Sequence, residues 1–91
     1  MKIRWTHAAA TDLESIASYL EEHHRQYRTS TLRKLYQEIG SLKKWPRRGH
    51  VGSVDGTREL SFSPLPYIAV YRVREQCVEI LRVYHGAQHR L

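Results

Sequence analysis

Arginine, tyrosine and histidine crowd the last third of this chain, and together they suit phosphate chemistry. Arg82, Tyr84 and His85 lie within a four-residue stretch, with Tyr67 and Tyr71 upstream and Arg58 further back. A guanidinium forks bidentately onto phosphate oxygens, and a tyrosine ring offers a stacking surface to an unpaired base. Imidazole is the side chain best suited to moving a proton near neutral pH. The same residues also have a structural reading. Tyrosine suits a pleated strand whatever its role, and an arginine among tyrosines stacks on the rings by cation–π attraction. A histidine at a strand end can simply bond a backbone carbonyl.

Other chemistries lack their residues. The single cysteine, Cys77, can form no internal disulfide and leaves no cysteine–histidine spacing of a zinc site. The glycines between Gly49 and Gly56 do not match a phosphate-cradling loop, and there is no serine nucleophile elbow. No metal or cofactor is expected. Fifteen Lys and Arg against nine Asp and Glu give a net charge of +6, which favours polyanionic partners such as nucleic acid, a ribosome or an acidic protein. No apolar run approaches the roughly 18–20 residues of a membrane span, so no membrane partner is expected. The opening Met1-Lys2-Ile3-Arg4-Trp5 lacks the apolar core of a signal peptide, which makes the cytoplasm the expected address.

The elements that must position these side chains follow from periodicity. Lys2 to Trp5 alternates as a first strand, and Thr6 is placed to cap a helix, with Asp12 and Glu14 in its early turns suiting the positive end of the dipole. Leu13, Ile16, Ala17 and Leu20 form one helical stripe that fades near His23-His24. Leu32, Leu35, Tyr36, Ile39 and Leu42 mark a second, closed by Trp45-Pro46. So short a link predicts an antiparallel helical hairpin. A glycine-rich loop carrying Arg47, Arg48 and His50 comes next, then strands over Thr57–Phe62, Tyr67–Arg74 and Cys77–His85. The whole chain, 1–91, reads as one α+β domain of order β-α-α-β-β-β, its hairpin packed on a mostly antiparallel four-stranded sheet.

A two-residue turn at Glu75-Gln76 sets a register. It pairs Arg72 with Glu79 as a cross-strand ion pair, Val70 with Leu81 and Ile68 with Val83. The four apolar residues, with Leu60 and Phe62, are expected to face the helices. Tyr71, Ala69, Tyr67, Ile80, Arg82 and Tyr84 then occupy the opposite, open face.

Three segments carry a family resemblance. Trp5-Thr6-His7-Ala8-Ala9-Ala10-Thr11-Asp12-Leu13 opens the chain, Gly56-Thr57-Arg58-Glu59-Leu60 starts a strand, and two closing runs follow. These are Pro66-Tyr67-Ile68-Ala69-Val70-Tyr71-Arg72-Val73 and Val78-Glu79-Ile80-Leu81-Arg82-Val83-Tyr84-His85-Gly86-Ala87-Gln88. In order and spacing the set resembles the RelE/ParE superfamily, toxins of bacterial type II toxin–antitoxin systems. The resemblance implies a growth-arresting toxin neutralised by a cognate antitoxin wrapped around it. An apolar antitoxin helix or strand is expected on the sheet edge or the helical hairpin.

Two mechanisms follow from the resemblance, and the clustering of Arg, Tyr and His favours the first, with the second as the alternative. In the first, a metal-independent endoribonuclease cuts messenger RNA on the ribosome. His85 would move a proton, Arg82 and Arg58 would stabilise charge on phosphorus, and Tyr84 completes the catalytic set. Tyr71, Tyr67, Arg47 and Arg48 would contact the RNA. In the second, the protein poisons DNA gyrase without catalysis, binding through the hairpin and the basic loop around Arg47, Arg48 and His50. The chain departs from the nuclease pattern at Ile68, where several nucleases carry arginine. It departs again at its end, Gln88-His89-Arg90-Leu91, in place of the usual Trp-Pro.

Overall fold

The computed structural model describes residues 1–86. A first strand, β1 (Lys2–Trp5), runs into Thr6, whose hydroxyl accepts from the Ala9 amide at 3.1 Å and so caps the helix α1 (His7–His23). A single residue, His24, separates α1 from α2 (Arg25–Gly40), and a 3-10 turn over Ser41–Lys43 ends the helical part. Ala10, Leu13 and Ala17 of α1 line one groove with Arg28, Leu32 and Tyr36 of α2. Ala9, Leu13, Leu35, Ile39 and Leu42 form its buried face. The expected stripe places Tyr36 wrongly: it is exposed, its ring 5.9 Å from that of Trp5.

Four further strands complete a five-stranded sheet in the order β1-β5-β4-β3-β2: β2 (His50–Val51), β3 (Arg58–Ser61), β4 (Tyr67–Val73) and β5 (Cys77–His85). The extra strand is β2, a two-residue piece of the glycine-rich loop that lies against β3. All neighbours are antiparallel except β1 with β5, where Lys2 to Trp5 pair with Cys77 to Ile80. β5 is therefore an interior strand, flanked by β1 and β4.

The Glu75-Gln76 turn closes as expected, with the Arg74 amide donating to the Cys77 carbonyl at 2.8 Å. Arg72 opposes Glu79 and Tyr71 opposes Ile80, but a bulge then shifts the register, so that Val70 meets Arg82 and Ile68 meets Tyr84. The bulge leaves Leu81 as the extra residue and re-aims the end of β5.

The assignment of faces is corrected as well. Tyr71, Ala69 and Tyr67 belong to the core with Leu60, Phe62, Val78 and Ile80, whereas Ile68 and Leu81 lie outside it, half-buried. The reason is the loop before β4. Ser63 to Pro66 bridge Phe62 and Tyr67, whose backbones bond at 3.1 Å, so Phe62 and Tyr67 share a face. Glu79 also departs from expectation, pairing with Arg4 at 3.5 Å and Arg74 at 3.6 Å. Among the described residues no helix is long and apolar enough to cross a membrane.

Candidate functional site

The bulge in β5 is met by α1. Where β1 ends, its hydrogen-bonding edge is continued by side chains: the Thr6 hydroxyl donates to the carbonyls of Ile80 and Leu81 at 2.9 and 3.0 Å. One turn and a half along the helix, Asp12 Oδ2 accepts from the Val83 amide at 2.9 Å. The same carboxylate takes a fork from Arg82, Nε to Oδ2 at 2.7 Å and Nη2 to Oδ1 at 2.9 Å. Asp12 is therefore an edge partner for β5 rather than a residue of the dipole's positive end. Its hydrogen bond to Arg82 raises the guanidinium pKa above its ordinary value, holding the charge in place.

Above this fork opens a hollow of about 680 Å³ between α1 and the ends of β4 and β5. Tyr19, Tyr67, Tyr84 and His85 line it together with Asp12 and Arg82. The Arg82 guanidinium lies 4.8 Å from the Tyr84 ring centroid, and Tyr67 meets the His85 ring edge-on at 5.7 Å. His85 is exposed at the rim while Tyr67 is buried. Burial, and then the neighbouring Tyr19, push the Tyr67 phenol pKa up, so it stays a neutral donor. The hollow can offer ring faces and a histidine to a ligand. Its guanidinium already sits in a bidentate pair with a carboxylate, the geometry that a phosphate would otherwise occupy.

A second cluster lies at the other end of the sheet, at the loop Trp45–Gly49. Tyr71 is fully buried, and its hydroxyl donates to the Pro46 carbonyl at 2.8 Å and accepts from the Gly49 amide at 2.9 Å. Arg58 reaches the same loop from β3, with Nε and Nη2 donating to the Gly49 carbonyl at 3.1 and 2.6 Å and Nη2 to the Arg47 carbonyl at 3.1 Å. Gly49 is required where it stands, because a Cβ would lie 2.5 Å from the Glu59 carbonyl oxygen and 2.8 Å from the Tyr71 hydroxyl. Arg48 bonds Glu38 at 2.7 Å and the Ser41 hydroxyl at 2.8 Å, and this pair draws the Glu38 carboxyl below its usual range. Arg47 and Trp45 are left pointing outward, the indole 60 % exposed.

The eight residues singled out from the sequence thus divide. Arg82, Tyr84, His85 and Tyr67 share the hollow. Arg58 and Tyr71 brace the loop from within, and Arg47 and Arg48 belong to the loop itself. Arg58 pairs with Tyr71, so it sits two strands from β5 and four residues along from Tyr67, roughly 10 Å by 13 Å across the sheet from the level of His85. The expectation of Tyr71 and Tyr67 on an open sheet face is corrected: both are core residues, their hydroxyls or rings reaching one end of the sheet or the other. Sequence reasoning missed Asp12 and Tyr19 as members of the hollow. Their spacing, seven residues on one helix, is two turns and places them on one face. The departure at Gln88-His89-Arg90-Leu91 lies outside the described residues.

Comparison with known proteins adds a consistent result. The family model described as the ParE toxin of the type II toxin–antitoxin system parDE matches residues 3–90. Y4kP of Sinorhizobium fredii, named as a toxin, is 33 % identical over 87 residues, 96 % of this chain and 90 % of that protein. Toxin RelE2 of Caulobacter vibrioides is 30 % identical over 87 residues, 96 % of this chain and 97 % of its own length. Among solved structures, that of a chromosomal ParDE system from P. aeruginosa superposes with a TM-score of 0.82 at 25 % identity, covering 93 % of this chain and 95 % of that one.

Proposed function

The chain belongs to the ParE toxin family of type II toxin–antitoxin systems, and from that premise we propose that it arrests growth by binding DNA gyrase, without a catalytic step of its own. One observation carries the choice. A ribosome-dependent nuclease built on His85 needs cations converging on a phosphate beside it. Here Arg82 is forked onto Asp12, and Arg58 holds backbone carbonyls two strands away. A phosphate entering the hollow would meet the Asp12 carboxylate and would have to displace it from Arg82. A non-enzymatic toxin needs no such cluster.

The second reading keeps one feature in its favour, since His85, Tyr84, Tyr67 and Arg82 do share one hollow. In either case the antitoxin's seat that fits best is the groove between α1 and α2. It holds about 450 Å³ and is walled by Trp5, Leu13, Leu32 and the exposed Tyr36. Apolar side chains left half-covered on a small domain mark a place for a partner.

Two assays on one preparation separate the readings. Purified gyrase is expected to lose supercoiling activity in the presence of this protein and regain it on addition of the antitoxin. Primer extension on a message translated in a purified cell-free system is expected to show no new 5′ ends. Ribosome-dependent ends that vanish with His85→Ala, alongside unimpaired gyrase, would overturn the proposal.

A further inference from the structure

We propose that the Trp45 loop is a nucleic-acid contact that takes an unpaired stretch of DNA, a base lying on the indole and the adjoining phosphates on the surrounding cations. The inference rests on the gyrase reading for its choice of DNA, and on the loop itself for the rest.

The loop is built to hold its shape. The carbonyls of Pro46, Arg47 and Gly49 are held from below by Tyr71 and Arg58. The Trp45 amide donates to the Ser41 carbonyl at 2.9 Å and the Arg48 amide to the Trp45 carbonyl at 3.1 Å. Two polar side chains of the sheet are thereby committed to fixing the backbone of a surface loop. A loop braced in this way displays its outward side chains with little left to order on binding, which is what a recognition surface needs.

Trp45 is 60 % exposed, more than any tyrosine or phenylalanine among the described residues, and the Lys44 ammonium sits 5.5 Å from its ring centroid. Lys43, Lys44 and Arg47 are exposed around it, and Arg48 and Lys34 flank Glu38. Glu38, the acidic group bonded to this loop, is already matched by Arg48. The result is a run of cations beside a flat apolar ring. Single strands are bound by that combination, a positive track for the backbone and an aromatic face for a base. A duplex hides its base faces and would leave the indole without a partner. An acidic peptide would satisfy some cations but brings a planar ring to the indole only where it carries an aromatic residue, whereas every nucleotide carries one.

The test is fluorescence anisotropy of a short labelled oligodeoxythymidine titrated with the full chain over a series of salt concentrations. Gyrase inhibition is followed in parallel. The wild-type protein is expected to bind with an affinity that falls as salt rises. Trp45→Ala should weaken binding about tenfold and Trp45→Phe should recover most of it, because stacking needs a ring. Arg47→Gln should weaken binding and flatten the logarithmic salt slope by about 0.7, the signature of one lost phosphate contact on a single strand. Thermal melts of the three variants should match the wild type, since the substituted side chains lie outside the core. Equal binding by wild type and Trp45→Ala, or none by either, would overturn the proposal. So would equal or tighter binding of oligouridine, which would reassign the surface to RNA, or displacement by polyglutamate as effective as by unlabelled DNA, which would reassign it to an acidic protein. Gyrase inhibition without oligonucleotide binding removes this inference and leaves the gyrase reading standing. Trp45-dependent binding without any effect on gyrase removes the gyrase reading instead.

Discussion

At the Trp45–Gly49 loop an arginine and a tyrosine grip backbone carbonyls, and at the hollow beside His85 an arginine grips a carboxylate. Arg58 and Arg82 are the same residue type at two ends of one sheet, yet they leave opposite surroundings. Carbonyl groups accept the Arg58 guanidinium without cancelling its charge, which adds to those of Lys43, Lys44 and Arg47 around the loop, only Arg48 being matched by a carboxylate. Asp12 cancels the charge of Arg82, and the hollow is left with rings and a histidine around a neutral pair. The partner chosen for a buried or half-buried arginine thus decides whether the surface nearby attracts an anion. Counting arginines near a site does not.

Gly49 is the most vulnerable point of the braced loop. In Gly49→Ala the added Cβ must push against the Glu59 backbone and the Tyr71 hydroxyl, so both anchors of the loop shift. We expect a loss of about 3 kcal/mol, a fall in the thermal midpoint of roughly 12–24 °C for a domain of this size. A circular dichroism melt within a few degrees of wild type would show that the loop is not braced as described.

Asp12→Ala attacks the other end. It leaves the Val83 amide without its acceptor and releases Arg82 from its fork. Arg82 is itself partly in water, so the cost should come chiefly from the amide and amount to about 2 kcal/mol, read from the urea midpoint. If the pair is what silences the hollow, the same variant should also gain affinity for phosphate-bearing ligands there, detectable as perturbed His85 and Tyr84 resonances on titration with a dinucleotide.

A smaller effect tests Glu38, the acid that Arg48 matches. Arg48 lowers the Glu38 pKa in the folded protein, so the pair contributes stability that is fully present above the ordinary carboxylate pKa and lost as pH falls through the lowered value. The contribution should be under about 1 kcal/mol, as for other partly exposed pairs. Urea midpoints compared between wild type and Glu38→Gln should converge on acidification, and a gap that persists at pH 3 would disprove the assignment. The smallest change is expected from His85→Ala. Growth arrest on induction should stay within about twofold of wild type, where loss of a general acid or base would cost about 10²–10⁴-fold.

Much of this architecture was legible in the chain because it rests on local rules. The strand at Lys2–Trp5, the cap at Thr6, the turn at Glu75-Gln76 and the strand at Cys77–His85 each follow from a few adjacent residues, and each stands in the structure. What could not be read depended on partners far apart in sequence. Thr6 and Asp12 meet β5 across more than seventy residues, and with them comes the bulge that shifts Arg82. Nothing near Leu81 announces a bulge. The tyrosines of β4 misled for another reason: a ring with one polar atom satisfies the criteria for a wet face and for a core equally well. Tyr71 is buried because Pro46 and Gly49 offer its hydroxyl partners, a fact about a loop more than twenty residues away. At the candidate sites the residue types were identifiable, but their grouping was not, because it depends on which end of the sheet each one reaches.

The parallel pairing of β1 with β5 has a consequence for synthesis. The first strand of the chain has its partner in Cys77 to Ile80, and the cap of the first helix is locked by the carbonyls of Ile80 and Leu81. A nascent chain that has not yet emerged past that point carries a helical hairpin with one uncovered face and an opening strand with nothing to pair to. Closing so long a loop is the slow part of building such a sheet. The sheet therefore closes late, once Cys77 to Leu81 have been made, and until then the hairpin keeps an apolar face open to water.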